Sequence, residues 1–298
     1  MTAASEVPSD LPPARRAPGD VDVDVLIPTA DRAEALAPTL VGLLGQLPAR
    51  PVDPVFRVLV SDQSHEPVLT TSPPVRTAVA ALRRAGVDVS VAHRPQRRGI
   101  AEQRDWLLSQ AKAEAALYLD DDVLLAPGAI VRLVDALRTL RCGFVGMPLI
   151  GSSYETDERP HEWAPFEPWD GEVHPERVRK GDPAWERWRL HNAANPLHLE
   201  RLLRVPERGW VAYKVAWVAG CTLFDTGALR AVGGYAFWRH LPAALRGEDV
   251  VVQLRLLERA GGAGLLPSLA YHLELPTTLR DRGTDAYAAV LEAGDALV

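Results

Sequence analysis

Apolar residues recur along the chain in two alternating rhythms. Val21, Val23, Val25 and Ile27 alternate with Asp22, Asp24 and Leu26 and stop at Pro28, the period-two pattern of a strand. Ala33 to Leu47 then sets Leu36, Leu40, Leu43 and Leu44 on one stripe, as a helix does. The same exchange repeats: strand Phe56 to Val60, helix Val75 to Ala85, strand Val87 to Val91, helix Ile100 to Ala113. A fourth strand centred on Leu117 to Leu119 follows, then a helix over Pro127 to Leu140 and a fifth strand over Gly143 to Pro148. Strands that alternate with helices predict an α/β fold, a mostly parallel twisted sheet flanked by helices, with right-handed crossovers.

From Gly151 to about Tyr213 the rhythm is lost. This stretch holds Trp163, Trp169, Trp185, Trp188 and Trp210 among prolines and charges, and reads as a long elaboration on one edge of the sheet. Its tryptophans suit either a small satellite core or the wall of a binding site. Order returns with the apolar run Ala216 to Phe224 and a short helix Thr226 to Val232, broken by Gly233-Gly234-Tyr235. Val250 to Ala260 is amphipathic, Gly261 to Gly264 reads as a turn, and a short strand leads to Tyr271-His272. The expected organisation is one domain: a leader over 1–20, a first half over 21–150, a Trp-rich insertion or lid over 151–215, and a second half over 216–298. The leader is expected to be disordered, being rich in Pro, Ala and Ser without periodicity.

Composition narrows the partners. The chain has 298 residues, 47% of them hydrophobic and 24% charged, as in soluble globular proteins. Its net charge of -6 argues against a nucleic-acid partner or broad attraction to an anionic membrane. No apolar stretch is long enough to span a bilayer and no signal pattern opens the chain, so a cytoplasmic location is expected. Cys142 and Cys221, far apart and each in apolar context, are expected to be buried free thiols.

The chemistry gathers at predicted strand ends. Asp120-Asp121-Asp122 closes the run Ala115 to Leu119, Pro28-Thr29-Ala30-Asp31-Arg32 closes the first strand, and Ser61-Asp62-Gln63-Ser64 the second. In a parallel sheet all three lie on the C-terminal edge, where open α/β sheets bind ligands. Crowded carboxylates repel, and a hard divalent cation carrying phosphates is one way to offset that; Asp62 equally suits a turn cap. Gly99, before the third helix, allows close approach of backbone to a ligand at a helix N-terminus, which favours anions, and Arg104 lies one turn further in. Glu248 and Asp249 open the Val250 helix, where acidic residues are favoured in any case. His272 is a candidate metal ligand.

Taken in order, these pieces resemble the family 2 glycosyltransferases of the GT-A fold, a Rossmann-like sheet architecture. The resemblance runs from about Asp22 to His272 outside the Trp-rich stretch. It rests on Val25 to Arg32, Val58 to Ser64, Arg98-Gly99-Ile100-Ala101 with Arg104-Asp105, Leu117 to Val123, Gly233-Gly234-Tyr235, Gly247-Glu248-Asp249 with Arg255, and Tyr271-His272. It departs from the family at Asp105, where asparagine is usual, and in Ser61-Asp62-Gln63-Ser64, where a second acidic residue is common. The resemblance implies a nucleotide-sugar-binding first half and an acceptor-binding, catalytic second half. It implies a donor pocket of Pro28, Thr29, Asp31, Arg32, Asp62, Gly99, Arg104, Asp120 and Asp121. It implies Mn²⁺ or Mg²⁺ on Asp122, Asp120 and His272, and a general base at Asp249 with Glu248 beside it. The implied activity is inverting transfer of a sugar from a nucleotide-diphospho-sugar to a small-molecule or saccharide acceptor. Two other readings stand beside it. A sugar-nucleotide nucleotidyltransferase usually opens with a Gly-rich loop and a lysine, and Pro28 to Arg32 has neither. A non-catalytic nucleotide-sugar-binding protein is the other.

Overall fold

The structure, a computed structural model, describes residues 21–203, 205, 209–276 and 284–292. The leader expected over 1–20 lies outside these residues. The first half runs β1 (Val23–Thr29), α1 (Ala33–Gly42), β2 (Phe56–Asp62), α2 (Val68–Thr71), α3 (Pro73–Arg84), β3 (Val89–His93), α4 (Ile100–Gln110), β4 (Ala115–Leu119), β5 (Val123–Leu125), α5 (Ala129–Leu140) and β6 (Phe144–Gly146). Then come β7 (Ile150–Gly151), α6 (Asn195–Leu202), β8 (Val211–Tyr213), β9 (Cys221–Asp225), α7 (Thr226–Ala231), β10 (Leu245–Arg246), α8 (Glu248–Ala260), β11 (Gly262–Leu266), β12 (Ala270–His272) and β13 (Thr284–Asp285).

The central sheet has the order β3-β2-β1-β4-β9-β6-β11-β8. β3, β2, β1 and β4 are parallel neighbours, so their C-terminal ends share one edge. Val25, Ile27, Val58, Val60, Leu117 and Leu119 point into one buried layer, which α1, α3 and α5 cover. Leu26, Tyr118 and Phe224 point into the other, with α4, α7 and α8. Alternation along each strand therefore feeds two cores, which explains why β1 and β4 are buried on both faces.

β9 interrupts the parallel order. It runs antiparallel to β4 on one side and β6 on the other, pairing Leu119 with Cys221 and Gly146 with Thr222. Its reversal brings the segment just before Cys221 to the edge where β4 ends. A small sheet, β5-β12-β7, carries His272 to the same place by pairing it with Val123 and Gly151.

The Trp-rich stretch is firmly packed. Glu162 accepts from Asn192 and Asn195 at 2.7 Å each, and Trp163 donates to Asn195 at 2.8 Å. Its last residues form β8, the edge strand of the central sheet, antiparallel to β11.

One expectation needs correction. Gly261 to Gly264 does not simply turn the chain; Gly262 to Leu266 is β11, a buried strand. Its glycines make room for rings. A Cβ on Gly262 would lie 2.2 Å from the Phe144 ring, and one on Gly264 would lie 2.3 Å from the Tyr213 ring. Gly264→Ala should therefore overpack this strand and cost about 1–3 kcal/mol. A urea melt should show a lower midpoint at unchanged slope, and an unaltered midpoint would refute the packing argument.

Candidate functional site

β1 and β4 end side by side, and their terminal side chains lock together. Thr29 Oγ1 donates to Asp121 at 2.6 Å, and Arg32 forks across two carboxylates, 2.8 Å from Asp121 and 2.7 Å from Asp122. Thr39 on α1 donates to the Asp121 carbonyl at 2.8 Å. Asp121 is thus turned inward as the brace of the edge. Burial pushes its carboxyl up to about 7, against the pull of Thr29 and Arg32. Asp122 sits between Arg32 and His272, whose Nε2 is 3.3 Å from Oδ2. Burial acts to raise Asp122, but the His272 and Arg32 hydrogen bonds outweigh it and hold the carboxyl below its usual range. The same Asp122 hydrogen bond raises His272.

The third carboxylate of the run, Asp120, faces a different cation. Arg104 on α4 donates to it at 3.0 Å and lies 3.4 Å from Glu248. Its guanidinium is held between two rings, with centroids 5.8 Å away for Tyr118 and 5.9 Å for Tyr235. Tyr118 also donates to the Arg104 carbonyl at 2.7 Å. Burial would lower Arg104, yet Glu248 and Asp120 raise it well above its ordinary value. One buried cation thus serves two carboxylates.

α4 is aimed by Gln103, whose amide donates to the carbonyls of Thr29 at 2.9 Å and Ser61 at 3.0 Å. α8 begins at Gly247, in the left-handed region at φ 78, so Glu248 and Asp249 occupy its first turn. Glu248 points inward, 5% exposed, while Asp249 stays at the partly exposed rim. One turn on, Gln253 clamps Val218 at both its N–H (2.7 Å) and its C=O (2.8 Å). The Asp120 N–H donates to the Gly220 carbonyl at 2.9 Å. β4, β9 and α8 therefore meet at the site.

Several expected residues take other positions. Glu248 is buried beside Arg104, while Asp249 stays partly exposed. Asp62 is fully buried, and its oxygens accept from the Ser64 and Val68 N–H groups at 2.9 Å each, the turn-cap arrangement. Pro28 lies buried within β1, opposite Ser61, behind the strand end it was expected to line. Gly99 does admit a close neighbour, but it is the chain itself: a Cβ there would lie 2.3 Å from the Ala243 carbonyl oxygen. Asp31, at φ 54, stands at the surface and pairs with Arg97. Asp105 accepts from Trp238 at 2.7 Å and Arg239 at 3.1 Å, linking α4 to the segment after Gly233-Gly234.

Gln103 and Gln253 are residues around the site that sequence reasoning passed over, and Gln253 left one signal, its spacing of four from Asp249. Tyr118 and Tyr235 lay within the motifs Leu117 to Val123 and Gly233-Gly234-Tyr235 but were given no role of their own. A hollow of about 240 Å³, lined by Arg94, Pro95, Gln96, Arg98 and Glu102, opens beside the start of α4. A cavity of about 440 Å³ lies at the other end of the sheet, among Asp22, Ala115, Cys142 and Asp225, away from the carboxylates.

Could the edge hold a metal? Among the described residues no group of three or more His, Cys, Asp or Glu side chains is placed to hold one. The donors that do converge, the Asp122 carboxylate and the His272 imidazole, are of the kind Mn²⁺ or Mg²⁺ takes. Such ions commonly use one or two protein ligands and complete their shell with phosphate and water. The donor set therefore fits an ion that arrives with a diphosphate.

Glu248 makes stability depend on pH. Burial, reinforced by Asp249 and opposed by Arg104, pushes its carboxyl up to about 7 from the ordinary 4.5. Folding then favours the protonated form, so this contribution is complete in acid and is lost as pH rises through 7. Thermal melts of wild type and Glu248→Gln from pH 5 to 8 should diverge, the variant losing less. Parallel curves would refute the assignment.

The comparisons with known proteins agree with this architecture. Residues 24–194 match the model of glycosyl transferase family 2. No curated protein matches the chain. Among solved structures, the chain resembles residues 1–349 of TarS from S. aureus, crystallised with UDP-GlcNAc, at 13% identity and a TM-score of 0.54. That match covers 86% of this chain and 60% of the other. It also resembles the mannosyltransferase PcManGT from Pyrobaculum calidifontis, solved with GDP-Man and Mn²⁺, at 18% identity and a TM-score of 0.50, covering 87% and 58%. The chain thus spans about three fifths of each of these chains, and at such identities the likeness speaks for the fold. With the family model spanning more than half of the chain, the protein belongs to glycosyl transferase family 2.

Proposed function

We propose that the protein transfers a glycosyl group from a nucleoside-diphosphate sugar to an acceptor hydroxyl, with a divalent cation at Asp122 and Asp249 as general base. The observation that carries this reading is the convergence at one sheet edge of Asp120, Asp122, His272, Arg32 and Arg104 with Asp249. The nucleotide sugars of the two solved neighbours, UDP-GlcNAc and GDP-Man, and the Mn²⁺ of the second support the donor class and the metal.

The residues divide the work. Asp122 and His272, with Asp120 near them, would hold Mn²⁺ or Mg²⁺, which would supply positive charge against the departing diphosphate. Arg32 and Arg104 offset part of the carboxylate charge at the edge and so lower the repulsion a diphosphate meets there. The hollow beside α4, lined by Arg94 and Arg98, is the proposed seat for the rest of the nucleotide, its two arginines suiting an anionic ligand. Asp62 contributes from below, by fixing the backbone of Ser64 to Val68. Asp249 takes the proton of the acceptor hydroxyl as its oxygen bonds to the anomeric carbon. The bond from that carbon to the diphosphate oxygen breaks, and the nucleoside diphosphate leaves with the electron pair. One base and no second nucleophile suit a single displacement, hence inversion.

A thermal-shift screen against nucleoside diphosphates, each with and without Mg²⁺ or Mn²⁺, tests the donor site. At one hundred times its dissociation constant the matching nucleotide should add ~2.7 kcal/mol of stability. The shift should require metal and vanish in Asp122→Ala; no shift with any nucleotide would sink the reading. Asp249→Asn should keep the shift and lower acceptor-dependent turnover by ~10²–10⁴. Undiminished turnover in that variant would remove Asp249 as the base.

A further inference from the structure

The guanidinium of Arg104 is incompletely paired. Its Nη2 donates to Asp120 at 3.0 Å, but among the described residues its buried Nε has no hydrogen-bond partner. That Nε lies 3.4 Å from Glu248 Oε1, about 0.5 Å beyond an ordinary N–H···O contact. The Tyr235 hydroxyl beside it is also buried without a partner among the described residues. Burial pushes this hydroxyl's pKa up, the Arg104 charge opposes the rise, and Asp249 and Glu248 add to it. Two buried donors and a buried carboxylate thus stand together with their hydrogen bonds unmade, which is costly in a low-dielectric interior.

The two carboxylates that share Arg104 differ in access. The Asp120 side chain is 37% exposed at the open sheet edge, and that of Glu248 only 6%. Asp120 is therefore the one that a ligand can engage. The guanidinium lies between the rings of Tyr118 and Tyr235, and a planar cation can slide across ring faces without losing them. A shift of about 0.5 Å toward Glu248 completes its Nε bond. The effect of that bond falls on α8. Gly247 offers no side chain to cap the first turn, so Glu248 is the anchor of that turn, and Asp249 is the next residue. Gly233 and Gly234, at φ 83 and 51, turn the chain sharply just before Tyr235.

We propose that Glu248 and Tyr235 are positioning residues for Asp249 and act through Arg104: when Asp120 turns to the donor, the guanidinium closes onto Glu248 and Tyr235 and fixes the first turn of α8. The Nε–H donates to Glu248, and the Nη2–H freed from Asp120 donates to the Tyr235 oxygen. No proton is transferred and no covalent bond changes. Asp249 is then held firmly only in the donor-bound protein, because the two seats of one cation are biased by the ligand at Asp120. The proposal rests on the transferase reading and deepens it.

The test is hydrogen–deuterium exchange on the full chain, with and without Mn²⁺ and the nucleoside diphosphate that stabilises it. In the wild type, nucleotide and Mn²⁺ together should slow exchange of the amides over 249–253 roughly two- to tenfold, the range of one buried hydrogen bond. Tyr235→Phe keeps the ring and removes only the hydroxyl. It should keep the wild-type nucleotide shift in thermal melts and lose most of the slowing. Glu248→Gln keeps the shape and weakens the charge-assisted bond, and it too should lose most of the slowing. Wild-type slowing in either variant overturns the proposal. So does exchange that is faster by the same factor with and without nucleotide, which marks a merely structural role. Loss of the nucleotide shift in folded Tyr235→Phe would make Tyr235 a donor contact and overturn it as well. A nucleotide shift in the wild type with no slowing over 249–253 refutes the coupling while the transferase reading stands. If no nucleotide shifts the wild type, that reading falls and the proposal falls with it.

Discussion

The crowding of carboxylates at the end of β4 is the constraint that the rest of the structure answers. Asp120, Asp121 and Asp122 leave a strand buried on both faces, and Glu248 and Asp249 arrive beside them from α8. Charges so placed demand partners, because an uncompensated buried charge costs about 3–5 kcal/mol. Arg32 answers Asp121 and Asp122; Arg104 answers Asp120 and Glu248. Neither arginine is near its carboxylates in sequence. The charge requirement therefore joins the first strand, the fourth strand, α4 and α8, and the fold is closed around it.

The same pairing separates the acidic residues by role. A carboxylate whose oxygens are taken by arginine, threonine or backbone N–H is a structural anion, as Asp121 and Asp62 are. Glu248 differs from them: it shares Arg104 with Asp120, and burial pushes it toward its protonated, neutral form. Asp122 is held ionised beside an imidazole, and Asp249 remains at the rim. Adjacent residues in one acidic run end in opposite conditions because alternate side chains of a strand end, or successive residues of a helical turn, face different surroundings.

Rigidity at the start of α8 comes from a neutral contact. Gln253 satisfies both polar groups of Val218 and has no charge to be screened by salt or lost with pH. It fixes the distance between α8 and the turn that leads into β9, and so between Asp249 and Asp120. The reversed direction of β9 is what makes this possible, since a parallel strand would have carried that turn to the opposite end of the sheet.

Much of this was legible in the chain. Apolar periodicity placed the strands and helices of the first half, and the strand ends carried the polar residues that the site uses. Local chemistry decides those features: a period of two or of 3.6 is written in neighbouring residues. The sequence also marked Asp122, Asp249 and His272, through their neighbours. What it left open depended on which side chains meet across long separations. The glycines after α8 read as a turn, and only the rings of Phe144 and Tyr213 explain them as a strand. Gly99 read as room for a ligand, and the Ala243 backbone takes that room. That Glu248 is a partner of Arg104, and that Trp163 and Trp238 spend their indole N–H on Asn195 and Asp105, is decided by packing. Burial and pairing are properties of the assembled fold, and no local pattern encodes them.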